Sequence, residues 1–321
     1  MKQNDVVEKN RKDWNSFSGE WARRNHCREV LEPVLKDPAK AFHPAVWGWL
    51  TDHYPDWRGK RICVPSSGDN LAVFAFALLG ARVTSCDISE NQLANARKIA
   101  ERENLGASIE WIRADTMTLE GVPDETYDLV YTSNGVHVWL DDLESMYRNV
   151  YRVLRPDGWD VIFEKHPFVR PFDEEGKPLK SYDSTGPFED EYAVNFHWRI
   201  QDILNAVMDA GIRPYHLEEL CERNEKWGIG LPEWFCLMGK TPEIGEAADG
   251  KASFPIRRLR PTVAGFYCAW YPLSTSSELS ALSESVWLVF AAWLKVSVTV
   301  LSTYPPSPMV LSVTSTVSPA E

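Results

Sequence analysis

The sequence predicts an α/β protein built on a doubly wound, mostly parallel sheet. Three observations carry this. Short apolar runs at 61–65, 82–86, 108–113, 127–132 and 158–164 alternate with helical periodicity at 70–79, 90–103 and 140–154, the pattern of βαβ units. A single tight turn, Pro65-Ser66-Ser67-Gly68-Asp69-Asn70, joins the first run to the first of these helices. Asp87 closes the second run nineteen positions after Gly68, where a doubly wound fold places an acid for a ribose.

The elements follow in order. Residues 5–30 are charged, with Trp14, Phe17 and Trp21 at three- and four-residue spacing, which reads as one or two amphipathic helices. A further helix at 44–54 ends near Pro55, so residues 1–55 form an N-terminal helical cap. The main domain spans 56–241, and right-handed crossovers leave it few topologies. Ser89 caps the helix at 90–103, and Gln92 stands three positions on, as in a capping box. Arg155-Pro156-Asp157-Gly158 reads as a turn between the helix at 140–154 and the strand at 158–164. From 166 to 196, His166-Pro167, Arg170-Pro171, Lys177-Pro178 and Gly186-Pro187 break the pattern. A stretch of this kind is a lid, a substrate-binding loop or disorder. Regularity returns with a helix at 199–210 and strands at 212–219 and 233–240.

Residues 242–321 are poor in charge and rich in Ser, Thr, Val and Pro, an accessory or poorly structured tail. Within it, 286–301 carries one charge, Lys295. The run is short of the roughly 20 apolar residues a spanning helix needs, so it is a weak anchor candidate and no membrane partner is expected.

Hydrophobic content of 44% and charged content of 25% fit a soluble globular chain of 321 residues. The net charge of −12 argues against a nucleic-acid backbone as main partner. Cysteines 27, 63, 86, 221, 236 and 268 show no CxxC spacing, and the histidines show no ligand spacing, so no metal is indicated. Cys63 and Cys86 read as small buried hydrophobes. The polar opening Met1-Lys2-Gln3-Asn4-Asp5 leads us to expect a cytoplasmic protein.

The turn at 65–70 holds one glycine, Gly68, where a pyrophosphate would call for several. A nucleoside without phosphates asks for less, and S-adenosylmethionine (SAM) is such a ligand. Its amino-acid end suits one close backbone approach at Gly68 with polar groups at Ser66, Ser67 and Asp69, beside a helix N-terminus. Asp87, followed by Ile88, suits both ribose hydroxyls; the alternative is a helix cap. Asp115, followed by Thr116, ends the third strand and suits the adenine amine; the alternative is a turn residue. Asn134 ends the fourth strand and suits the methionine end.

These residues carry a resemblance. The glycine turn, Asp87, Arg113-Ala114-Asp115, Tyr127-Asp128-Leu129-Val130-Tyr131-Thr132-Ser133-Asn134 and Val150-Tyr151-Arg152-Val153-Leu154-Arg155-Pro156-Asp157-Gly158 resemble a class I SAM-dependent methyltransferase. The likeness is to the small-molecule group that includes the ubiquinone/menaquinone methylases, and it covers roughly 40–241. Two departures stand out: Pro-Ser-Ser-Gly-Asp where the family has acid-x-Gly-x-Gly, and Pro-Asp-Gly where it has Pro-Gly-Gly. The resemblance implies a Rossmann-like seven-stranded sheet with an antiparallel last strand, supplied by 233–240. It also implies a small-molecule methyl acceptor, with Trp14 and Trp21 helping the N-terminal helix close over the cofactor; plain packing is the alternative.

In-line methyl transfer depends mainly on alignment, and a base is needed only if the nucleophile must lose a proton. His137, His166 and His197 are the candidates, each with the alternative of a loop or packing histidine. Tyr182, Tyr192 and Phe196 are candidate pocket walls. Two other readings stay open: a non-catalytic SAM-binding regulatory protein, and a nicotinamide-dependent oxidoreductase.

Overall fold

The structure is a computed structural model that describes residues 3–68, 70–173, 175–189, 193–223 and 230–243. Contacts divide the chain into Met1–Ala252 and Ser253–Glu321; the description concerns the first unit, which holds both 1–55 and 56–241. The tail from residue 244 on, with the anchor candidate at 286–301, and the site candidates Asp69 and Tyr192 lie outside the described residues. No helix among the described residues is long and apolar enough to cross a membrane.

The N-terminal region forms α1 (Gln3–Asn25), α2 (Arg28–Lys36) and α3 (Pro44–His53). The alternating body follows as β1 (Arg61–Val64), α4 (Leu71–Leu78), β2 (Arg82–Asp87), α5 (Glu90–Arg102), β3 (Ile109–Arg113), β4 (Tyr127–Ser133), α6 (Leu143–Val153) and β5 (Leu154–Lys165). An antiparallel pair of two-residue strands, β6 (Phe188–Glu189) and β7 (Val194–Asn195), then precedes α7 (Ile200–Asp209), β8 (Arg213–Arg223) and β9 (Gly230–Lys240). The sheet has seven strands in the order β3-β2-β1-β4-β5-β9-β8. β1 to β5 run parallel, and β9 is antiparallel to both β5 and β8. The expected last strand is thus antiparallel and lies inside the sheet, so β8 takes the edge.

Side-chain alternation divides the apolar residues between two faces. Ile62, Val64, Val83, Leu129, Tyr131 and Val161 pack with α2, α3, α4 and α5. Cys63, Cys86, Val130, Ile162 and Leu237 pack with α6 and α7. α6 shows why such a helix docks: Leu143, Met146, Tyr147, Val150 and Val153 recur at three- and four-residue spacing and are buried. α4 is covered almost all round, with Ala72 to Ala77 all buried, and its sequence is correspondingly apolar.

Arg155–Gly158 departs from expectation. The four residues are a bulge inside β5 instead of a helix-to-strand turn. Leu154 already pairs with Tyr127, and pairing resumes at Trp159 opposite Leu129. Asp157 takes a left-handed φ of 65°. Thr241, beyond the end of β9, holds the bulge: its Oγ1 accepts from Gly158 N at 2.9 Å and donates to Arg155 O at 2.7 Å. A Cβ at position 158 would lie 2.8 Å from Arg155 O, so only glycine fits.

Strand order reverses at β1, whose neighbours β2 and β4 lead in opposite directions. The crevice outside the carboxyl ends of those strands is where an open sheet of this type takes a ligand.

Candidate functional site

The turn after β1 is stitched to three strand ends. Ser67 N donates to Cys86 O at 2.8 Å, and its hydroxyl pairs with Ser85 Oγ at 2.7 Å. Gly68 N donates to Asp87 Oδ2 at 2.7 Å. Ser66 Oγ and Thr116 Oγ1 are 2.6 Å apart, which ties the turn to the segment after β3. Asn70 caps α4 by accepting from Ala72 N at 3.0 Å, and its amide donates to Ser133 Oγ at the end of β4 at 2.8 Å. Ser66 and Gly68 have φ of 44° and 46°. Gly68 supplies that backbone at little cost, and a Cβ there would fill space 3.6 Å from the Asp87 carboxylate.

Asp87 has a double task within the protein. Its second oxygen, Oδ1, accepts from Ser89 N at 2.7 Å. A carboxylate has about four acceptor sites in all, enough to hold such contacts and still meet a ligand. Asp115 is half-buried; Oδ1 accepts from Met117 N at 2.9 Å, and burial pushes its carboxyl above the usual range. Asn134 leaves β4 with φ 68° and Gly135 follows at 96°, so the chain turns sharply at the strand end.

One cavity joins these groups. Its lining includes Ser66, Gly68, Asp87, Ile88, Asp115, Thr116 and Asn134. α1 roofs it with Val7, Asn10, Trp14 and Trp21, and Trp139 and Leu140 close the side after β4. Trp14 meets Trp21 and Trp139 edge to face at 5.3 and 5.2 Å. α1 is held down by polar contacts, those of Asn10 to Val194 buried. Asn10 donates to Trp139 O and Val194 O and accepts from Val194 N at 2.9 Å. Asn15 Oδ1 accepts from Ser89 Oγ at 2.7 Å and from Asn91 N at 3.2 Å.

The three histidines are not among the described lining residues of this cavity. His137 is buried, with Nε2 2.6 Å from Tyr147 Oη, and burial pushes its imidazole down to about 3. His166 uses both ring nitrogens, Nε2 toward Glu219 Oε1 at 2.9 Å and Nδ1 accepting from Phe168 N at 3.0 Å. His197 lies tilted against Phe188, with ring centroids 4.6 Å apart, and lines, with His137 and Glu164, a separate small cavity. Of the candidate wall residues, Tyr182 accepts from Ile200 N at 3.3 Å and Phe196 lines that second cavity.

Sequence reasoning missed Gln92. Ser89 Oγ does accept from Gln92 N at 3.2 Å. The glutamine side chain does not complete the expected capping box; it lines the cavity, 2% exposed, and its Oε1 has no hydrogen-bond partner among the described residues. The signal was a glutamine heading the apolar stripe of α5 (Gln92, Ala96, Ile99). Glu164 was missed too: its Oε2 accepts from Val136 N at 2.6 Å and His137 N at 3.2 Å, fixing the chain after Gly135.

Residues 65–162 match the family described as "Methyltransferase domain". Over this stretch the chain is similar to methyltransferase domains. The matched stretch runs from the turn after β1 into β5. It takes in Ser66, Gly68, Asp87, Gln92, Asp115 and Asn134, and leaves out the α1 roof, His166 and His197.

A ubiquinone/menaquinone biosynthesis C-methyltransferase of Paracoccus denitrificans is 32% identical over 125 residues, 39% of this chain and 48% of that protein. A sterol 24-C-methyltransferase of Gibberella zeae is 23% identical over 170 residues, 53% of this chain and 42% of that protein. The chain thus spans less than half the length of these relatives. Among solved structures, an S-adenosylmethionine dependent methyltransferase from Mesorhizobium loti superposes at TM-score 0.51 and 26% identity, over 61% of this chain and 97% of that one. A 1,6-didemethyltoxoflavin-N1-methyltransferase from Burkholderia thailandensis, 17% identical, shares the fold at TM-score 0.52 over 76% of this chain and 92% of that one. Both likenesses agree with the Rossmann-like sheet of the methyltransferase domain.

Among the described residues no group of three or more His, Cys, Asp or Glu could hold a metal ion.

Proposed function

We propose that this chain is a SAM-dependent methyltransferase that acts on a small-molecule acceptor in the cytoplasm. The observation that carries the proposal is the cavity at the switch point, where Asp87, Gly68 and Gln92 converge beneath α1. The names of the sterol and ubiquinone/menaquinone relatives support a small-molecule acceptor.

The residues present fit SAM. Gln92 Oε1 is buried and lacks a hydrogen bond, a polar atom that a ribose hydroxyl would satisfy beside Asp87. The space over Gly68 that a Cβ would fill suits close approach of the amino-acid end, where Ser66 and Asn134 contribute polar groups. Ile88 offers an apolar surface to the base, and Asp115 with Thr116 an acceptor for its amine.

When bound, SAM supplies a methyl group on a sulfonium whose departure leaves a neutral thioether. The chain's own part is then to orient and to keep water out. The Trp14–Trp21–Trp139 cluster and Asn10 hold α1 over the site. Alignment of this kind contributes about 7–11 kcal/mol. No histidine is assigned as base. His137, neutral and hydrogen-bonded to Tyr147, instead shores up the chain after β4.

Calorimetry on the full chain tests the reading. SAM and S-adenosylhomocysteine are expected to bind with micromolar dissociation constants, and NAD to give no binding heat. Tight NAD binding without SAM binding would overturn it. Gln92→Met is expected to weaken S-adenosylhomocysteine by about three- to tenfold, the worth of one hydrogen bond. An unchanged dissociation constant would remove Gln92 from the ribose grip.

A further inference from the structure

The cavity also holds information about the acceptor, on the premise that its turn and strand-end residues serve SAM. The remaining lining is Val7, Trp14 and Trp21 from α1, with Met117, Trp139 and Leu140 facing them. The polar residue on this side, Asn10, spends its amide on backbone: Nδ2 donates to Trp139 O and Val194 O, and Oδ1 accepts from Val194 N. No lysine, arginine or histidine is among the described lining residues, whereas Asp87 and Asp115 are. An anion entering this space would shed its hydration without finding a cationic side chain among the described lining residues. A neutral ring would replace water on indole and aliphatic surface. The indoles already meet edge to face, at 5.2–5.3 Å between centroids, a geometry that a further flat ring can extend.

We propose that the methyl acceptor is an uncharged, flat, largely apolar ring compound, held against the Trp14–Trp21–Trp139 cluster and Leu140, and that its anionic counterparts are excluded. The α1 part of this wall, Val7, Trp14 and Trp21, lies outside the stretch that matches the methyltransferase family, and Met117, Trp139 and Leu140 lie within it.

The test compares two probes of one ring system, 2-naphthol and naphthalene-2-sulfonate, titrated at neutral pH into full chain saturated with S-adenosylhomocysteine. The naphthol is expected to bind and the sulfonate to bind at least about tenfold more weakly, a difference of about 1.4 kcal/mol. Val7→Lys, which places a cation at a half-buried position of the wall, is expected to raise the affinity of the sulfonate relative to the naphthol. Equal or tighter binding of the sulfonate to the unaltered chain overturns the proposal, as does no binding of either probe. S-adenosylhomocysteine binding, measured first, separates this from the methyltransferase reading: if it is present, only the acceptor class falls; if absent, the functional reading falls as well.

Discussion

Asp87→Ala is expected to abolish cofactor binding at concentrations that saturate the unaltered chain, a loss of a hundredfold or more. A hydrogen bond to a charged group is worth about 1.5–3 kcal/mol, and two ribose hydroxyls on one carboxylate would bring the sum to about 3–6 kcal/mol. The carboxylate also organises the site before any ligand arrives. Gly68 N and Ser89 N each give it a hydrogen bond at 2.7 Å, joining the glycine turn to the start of α5. Alanine leaves both donors without that acceptor, so the turn loosens at the position where the amino-acid end is to sit. Asp87→Asn separates the two tasks. An amide has one oxygen, so it keeps one of the N–H contacts and turns an NH₂ toward the other donor. The asparagine variant, keeping one of the two contacts, should lose less thermal stability than the alanine variant and still bind S-adenosylhomocysteine far more weakly than the unaltered chain. Calorimetry alongside a thermal melt checks both. Full binding by either variant would remove Asp87 from the ribose site.

The positions of Asp87, Asp115 and Asn134 were legible because strand ends are. Apolar runs such as Tyr127–Ser133, buried along its whole length, announce themselves by composition, and the first polar residue beyond each run falls on the sheet's carboxyl edge. Gly68 was legible for a related reason, since one glycine in a short strand-to-helix turn marks where the backbone is approached. The engagement of the histidines was not legible because much of their surroundings comes from distant segments. His137 meets Tyr147 on α6, and His166 Nε2 meets Glu219 on β8; only the His166 Nδ1 contact to Phe168 N is local. The Arg155–Gly158 bulge has the same origin, since Thr241 supplies its hydrogen bonds from the far end of β9. Gln92 was hidden by a competing local motif: its N–H does the capping, while its side chain answers to the cavity. The roof was half legible. Periodicity marked Trp14 and Trp21, but the buried Asn10 that pins α1 to Val194 looks, in sequence, like any polar residue of a charged helix.

Asp160→Asn is expected to stabilise the protein, increasingly so as pH rises. Asp160 lies on β5 between Val130 of β4 and Gly239 of β9. It is 1% exposed, and neither carboxyl oxygen has a hydrogen-bond partner among the described residues. Burial alone pushes its pKa up to about 8, from an ordinary value of 3.8. Folding therefore favours the protonated acid. Below about pH 4 both states hold the proton and the group costs nothing through ionisation. Above that the unfolded chain releases it while the folded chain keeps it. Stability then declines by up to about 1.4 kcal/mol per pH unit until pH 8, where the folded form ionises as well. Asparagine is nearly the same shape and never ionises, so it removes this slope. Urea melts of both proteins should nearly coincide at pH 4–5, and at pH 8 the variant should lead by several kcal/mol. Glu164 is also shifted upward by burial, but it accepts from Val136, His137 and Lys165 N–H groups, so a smaller decline with pH persists in the variant. Two melting series that stay parallel from pH 5 to 9 would mean that Asp160 finds a partner, and that its carboxylate is not the isolated charge its position on β5 implies.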